Sequence, residues 1–140
     1  VGSRDTKFLQ FENRKVRKLD WNQSCGSSTG FTLELLMKYY EIAPQNIAIT
    51  SQESYPLTCA VFGMEKIFDA IISGQKPEDA LGKFLMGIAR NVFEFVLKPQ
   101  TIYLSGGLSE NPAFVKALSY FCQTIPLGRF VLLDGLKEAS

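Results

Sequence analysis

Hydrophobic and polar positions change period along the chain in a definite order. Lys7 to Glu12 and Lys15 to Trp21 are short runs rich in strand-forming residues, joined at Asn13-Arg14, and they predict a β-hairpin. Phe31, Leu35, Leu36 and Tyr39 then recur at helical spacing and predict a helix from about Ser28 to Tyr40. Ile42 to Pro56 has no clear period, and Ala43-Pro44 and Tyr55-Pro56 mark it as connecting structure. A second helix is expected over about Cys59 to Ile72, with Val61, Phe68, Ile71 and Ile72 inward and Gly74 as its stop. Pro77, Glu78 and Asp79 suit the first turn of a third helix. Its apolar stripe runs through Leu81, Phe84, Leu85, Ile88, Val92, Phe95 and Val96 until Pro99 ends it.

Thr101 to Ser105 predicts a short buried strand leading into Gly106-Gly107. Asn111 as N-cap and Pro112 as first helical residue open a fourth helix, with Phe114, Val115, Leu118, Phe121 and Cys122 as its stripe. Phe130 to Leu133 predicts a last strand. The order hairpin, helix, helix, helix, strand, helix, strand predicts an α/β layer domain, helices packed on a mixed sheet, over residues 1–140. No internal repeat or low-complexity segment is present. Val1 is followed at once by the turn-like run Gly2 to Lys7, so the chain is expected to begin partway through a larger fold.

Composition narrows the chemistry. The chain has 140 residues, 46% of them hydrophobic, and a net charge of +1, the profile of a globular protein without a nucleic-acid footprint. No apolar run approaches the ~20 residues that cross a bilayer, and the first residues do not have the form of a signal peptide. The cysteines are odd in number and widely spaced, which points to a reducing, cytoplasmic setting rather than a disulfide framework. Histidine is absent, which removes Ser-His-Asp and Cys-His nucleophile systems and imidazole metal ligands within this chain. The basic cluster Arg14, Lys15, Arg17 and Lys18 reads as a solvated hairpin edge.

Four stretches carry candidate chemistry. Cys25 and Cys59 each precede the first turn of an expected helix, where unpartnered N–H groups and the helix dipole favour thiolate. Such a pair suits an anionic metal–sulfur centre, and a four-thiolate cluster would then be shared by two chains; the alternative is two inert buried residues. Ser27-Ser28-Thr29-Gly30 offers hydroxyls and N–H groups to a phosphate, or simply caps the helix. Asp5, in the Gly2-Ser3-Arg4-Asp5 turn, suits a water-bridged magnesium ion beside a phosphate, or is a turn aspartate. Gly106-Gly107, between strand and helix, allows close approach of a nucleotide, or is a tight turn. Cys122 lies on an apolar stripe and reads as core.

Taken in order, Gly2-Ser3-Arg4-Asp5-Thr6-Lys7, Asn22 to Gly30, Cys59-Ala60-Val61-Phe62 and Gly106-Gly107 to Asn111 resemble the signposts of the BadF/BadG/BcrA/BcrD ATPase family. Its members activate 2-hydroxyacyl-CoA dehydratases or form part of benzoyl-CoA reductases. The resemblance covers nearly the whole chain and matches the second of two ribonuclease-H-like halves, the actin, Hsp70 and sugar-kinase architecture. It implies that the N-terminal half, with the first phosphate loop, is absent from these residues, and that this half alone does not hydrolyse ATP. It further implies Cys25 and Cys59 as ligands of a [4Fe-4S] cluster bridging a homodimer, and Asp5 as the phosphate and Mg2+ residue. Ser28, Thr29, Gly30, Gly106, Gly107 and Asn111 would bind ATP.

The implied partners are a 2-hydroxyacyl-CoA dehydratase-type enzyme and an electron donor such as ferredoxin or flavodoxin, with neither nucleic acid nor membrane. The implied action is ATP-driven delivery of one low-potential electron. The sequence departs from the family at Ser3 and Arg4, where the turn has Gly and Gln, and at Gly26-Ser27-Ser28, where the cysteine stretch has Ala-Ala-Gly. Gly63-Met64-Glu65-Lys66 stands where an acidic pair is usual. Two other expectations share this architecture: a non-catalytic nucleotide-sensing or interaction module, and half of a small-molecule kinase in which the cysteines are incidental.

Overall fold

Local turn chemistry sets the element ends. The computed structural model describes residues 1–2, 4–22, 29–51, 53–58 and 60–139, and of Thr29, Ala60 and Val61 the backbone alone. Strands β1 (Thr6–Glu12) and β2 (Lys15–Asn22) form an antiparallel hairpin. Asn13 and Arg14 both adopt positive φ, 51° and 62°, the conformation whose twist matches paired strands across a two-residue turn. One hairpin face turns Phe8 edge-on to Phe95. The other leaves Leu9, Phe11, Val16 and Leu19 exposed. Arg14, Lys15, Arg17 and Lys18 are all solvent-facing, with Arg17 paired to Glu12 and Lys18 to Asp20.

Helices α1 (Thr29–Tyr39), α2 (Ala60–Ile72) and α3 (Pro77–Phe95) follow. α2 stops where expected: the Gly74 N–H donates to the Ile71 carbonyl and the Gln75 N–H to the Ala70 carbonyl. This is a Schellman closure, with Gly74 at φ +93°. α3 is the spine of the core. Leu81, Phe84, Leu85, Ile88 and Val92 are buried on it, as its period predicts, and so are Ala80, Met86 and Ala89. The described residues between α1 and α2 are irregular apart from a 3-10 turn at Pro44–Asn46, yet they pack Ile42, Ile47, Ile49 and Leu57 into the same core. Their backbone runs so close to α3 that a Cβ on Gly82 would collide with the Ala48 carbonyl.

Two helical faces differ from expectation. On α1, Leu33 and Leu36 are buried, whereas Phe31, Leu35 and Tyr39 are 52%, 51% and 74% exposed. On α2, Ile67 is fully buried, Ile71 is partly buried, and Phe68 and Ile72 face solvent. Both helices carry apolar residues on more than one side, so packing against α3 rather than periodicity selects the inward face.

Strand β3 (Thr101–Ser105) ends in a 3-10 turn (Gly107–Glu110), then α4 (Pro112–Ser119). The final expected strand is corrected. Phe130 to Leu133 opens α5 (Val131–Ala139), and the strand is β4 (Gln123–Gly128). The Phe130 carbonyl accepts from the Leu133 and Asp134 N–H groups, starting a helical turn. A four-residue apolar run does not distinguish helix from strand by its own period. Pro126 disguises β4, since proline removes a ladder donor. β4 nevertheless pairs parallel with β3, Leu104 opposite Pro126. Among the described residues the strands thus form an antiparallel pair and a parallel pair rather than one continuous sheet.

Candidate nucleotide cleft

Asn22 closes β2 and Thr29 opens α1, so the Cys25 stretch is the connection between them. Ala60 opens α2 directly after Cys59. Cys25, Ser28 and Cys59 themselves lie outside the described residues, as does the side chain of Thr29. Among the described residues no group of three or more Cys, Asp or Glu is arranged to hold a metal ion. The two cysteine peptides nonetheless feed helices that pack on each other.

Gly30, one residue into α1, starts a helical face. Gly30, Leu33, Glu34 and Met37 follow i, i+3, i+4, i+7 spacing and form one wall of a cleft of about 170 Å3. Gly107, Leu108 and Asn111, from the turn after β3, form another, and Gly2 and Arg129 complete the lining. Stretches far apart in sequence therefore meet: the Gly2 turn, the start of α1, the diglycine turn and the end of β4.

Gly106 is held by the backbone around it. Its φ is +101°, and an added Cβ would stand 2.5 Å from the Val1 carbonyl oxygen. Leu108 N–H donates to that same oxygen, and the Val1 nitrogen donates to the Ser105 carbonyl. Gly107 differs, because the nearest atom to its notional Cβ is Arg129 Nη2 at 3.9 Å. One glycine shapes the turn, and the next leaves open space in the cleft.

Asn111 caps α4, its Oδ1 accepting from the Ala113 and Phe114 N–H groups at 3.0 and 3.1 Å. Its amide also reaches toward Met37 Sδ, at 3.8 Å. One side chain thus ties the helix α4 start to the α1 wall. Asp5 sits in the turn closed by Gly2 N–H and the Asp5 carbonyl. Its carboxylate accepts from Trp21 Nε1 at 2.9 Å and pairs with Lys7 at 3.3 Å.

Arg129 and Glu34 were not among the expected site residues. Helical spacing from Gly30 points to Glu34 and Met37. Nothing local points to Arg129, which reaches the cleft only because β4 lies beside β3. Its Nη2 pairs with Glu110 at 3.1 Å.

The fold is shared with a little over half of each of two solved structures, which it matches along nearly the whole chain. More particularly, the chain is similar along nearly its whole length to part of the activators of 2-hydroxyacyl-CoA dehydratases. It is 20% identical over 142 aligned residues to the (R)-2-hydroxyglutaryl-CoA dehydratase activating ATPase of Acidaminococcus fermentans, covering 93% of this chain and 55% of that one. The crystal structure of the A. fermentans (R)-2-hydroxyglutaryl-CoA dehydratase component A superposes with a TM-score of 0.74 at 20% identity, again over 93% and 55%. The activator of the 2-hydroxyisocaproyl-CoA dehydratase from Clostridium difficile, with bound ADPNP, gives 0.70 at 20% identity, over 99% of this chain and 60% of that one. No family model matches the chain. The chain spans about half the length of these relatives, and no helix among its described residues is long and apolar enough to cross a membrane.

Proposed function

We propose that this chain is the second half of an ATP-dependent activator that delivers a low-potential electron to a 2-hydroxyacyl-CoA dehydratase-type enzyme in the cytoplasm. The observation that carries the proposal is the cleft, which joins Gly2, Gly30, Gly107 and Asn111 around one space. The relative with bound ADPNP supports an adenine nucleotide as its occupant. In this reading Asp5 meets the phosphates through Mg2+, Thr29, Gly30, Gly107 and Asn111, together with Ser28, line the nucleotide, and Gly106 serves the site by shaping the turn that presents Gly107.

Cys25 and Cys59, with their counterparts in a second copy, would hold a [4Fe-4S] cluster. When bound, such a cluster supplies one-electron transfer from a donor such as ferredoxin or flavodoxin. The chain's own contribution is a rigid link. Helix α1 carries the cleft wall from Gly30 to Met37 and begins where the Cys25 stretch ends. A displacement of that wall by nucleotide therefore reaches the cysteine peptide through one helix.

The second reading, a nucleotide-sensing module without turnover, draws support from Asp5, whose carboxylate is already engaged by Trp21 and Lys7. Anaerobic reconstitution with iron and sulfide separates the two. About four irons per dimer, following the shared four-thiolate arrangement, should be lost in both Cys25→Ser and Cys59→Ser and kept in Cys122→Ser. Nucleotide binding without specific iron in the wild type would leave the sensor.

A further inference from the structure

The chemistry of the cleft is uneven. Leu33, Met37 and Leu108 make much of its lining apolar, and Arg129 is the one cation among the described lining residues. Gly128, at φ +86°, turns the chain just before Arg129. The guanidinium is held at one edge by Glu110, 3.1 Å away, and stands beside the open face of Gly107. About half of the side chain, 53%, is accessible. A guanidinium tethered by an edge keeps its flat face free for stacking.

The surrounding charges decide what it would stack on. Glu110 neutralises Arg129, and Glu34 stands on the facing wall, paired with Lys38 at 3.0 Å. A phosphate brought to Arg129 would meet like charge from these carboxylates, whereas a neutral heterocycle would not. The leucines and the polarisable thioether of Met37 favour an aromatic ring. The cleft, at about 170 Å3, is smaller than the ~300 Å3 at the low end of small-molecule sites, so it holds part of a nucleotide rather than the whole.

We infer that Arg129 is the base-stacking residue of this cleft, its guanidinium plane lying on the purine ring while Glu110 holds that plane in place. The inference rests on the nucleotide-binding reading and names the residue that selects the base.

The test measures binding of magnesium–ADPNP and of inorganic tripolyphosphate separately, on the full chain and on Arg129→Ala, Arg129→Lys and Glu110→Gln, with circular dichroism to confirm folding. Arg129→Ala should lose roughly tenfold in ADPNP affinity, the scale of a cation–π contact in a partly desolvated site, with tripolyphosphate binding unchanged. Arg129→Lys should recover only part of that loss, because an ammonium keeps the cation–π attraction but has no plane to stack. Glu110→Gln should give a smaller loss of the same kind. Equal losses for both ligands would make Arg129 a phosphate contact and overturn the inference, as would full rescue by lysine or an undiminished ADPNP affinity in Arg129→Ala. A wild type that binds neither ligand would remove the nucleotide reading itself, and this inference with it.

Discussion

Trp21 Nε1 donates a 2.9 Å hydrogen bond to Asp5 Oδ2, tying the end of β2 to the turn that begins the chain. Lys7 joins the same carboxylate and also stands over the indole, 5.0 Å from the ring centroid. Trp21 is the sole tryptophan and lies at the strand end leading to Cys25. A Mg2+ ion drawing on Asp5 would compete for the lone pairs that now hold the indole.

Tryptophan fluorescence should therefore report on Asp5. Asp5→Ala removes the acceptor and should shift the emission, whereas Asp5→Asn keeps an acceptor and should shift it less. Both variants should weaken magnesium–ADPNP binding. Both should change stability by about 1 kcal/mol, since Asp5 is only partly buried and its partner Lys7 is mostly exposed. An Asp5→Ala spectrum that superposes on wild type would break the proposed link.

Gly106 and Gly107 should separate folding from binding. Gly106→Ala places a Cβ against the Val1 carbonyl at φ +101° and should cost about 1–3 kcal/mol in a denaturant melt. Gly107→Ala meets nothing closer than Arg129 and should leave stability within about 0.5 kcal/mol, while its methyl group fills cleft space and lowers ADPNP affinity. The reverse pattern would contradict the assignment of the two glycines.

Asn111 offers a similar separation by charge. Asn111→Ala removes the cap from the Ala113 and Phe114 N–H groups and should cost about 1 kcal/mol. Asn111→Asp retains the cap and suits a helix start, so thermal stability should hold. The added carboxylate in the cleft should still reduce nucleotide affinity. Thermal melts alongside nucleotide titrations check both halves.

Alkaline pH should act on the core through Cys122. Burial raises its thiol above the ordinary range of about 8.5, with the Thr124 contact opposing the rise. The unfolded chain therefore releases this proton first as pH increases, and the folded state loses stability. The contribution is fully present below the unfolded pKa and is lost as pH rises through the folded one. Melts between about pH 7 and pH 10 should show a fall that is smaller in Cys122→Val. An identical slope in that variant would assign the fall to other groups.

Much of the architecture is written in short-range chemistry. The Asn13-Arg14 turn, the Gly74 stop, the Asn111 cap with Pro112 behind it, the α3 stripe and the Thr101–Ser105 strand all depend on neighbours within a few residues. Backbone dihedrals, capping hydrogen bonds and helical period are local quantities, and the linear order of residues determines them. The diglycine turn and Gly30 could be marked for the same reason.

Which face of α1 or α2 turns inward could not be read in that way, because Leu33 and Ile67 are selected by their fit against α3 over Phe31 and Phe68. Nor could β4 be told from the start of α5, since a proline-containing strand becomes a strand only when β3 supplies its partners. Arg129 enters the cleft by that same pairing. The sequence by itself determined the turns, caps and periods, which cost or release free energy within one or two turns of chain. Tertiary structure decided the buried faces, the parallel strand pair and the meeting of Gly2, Gly30, Gly107 and Arg129, because contacts between distant residues follow from how the whole core closes.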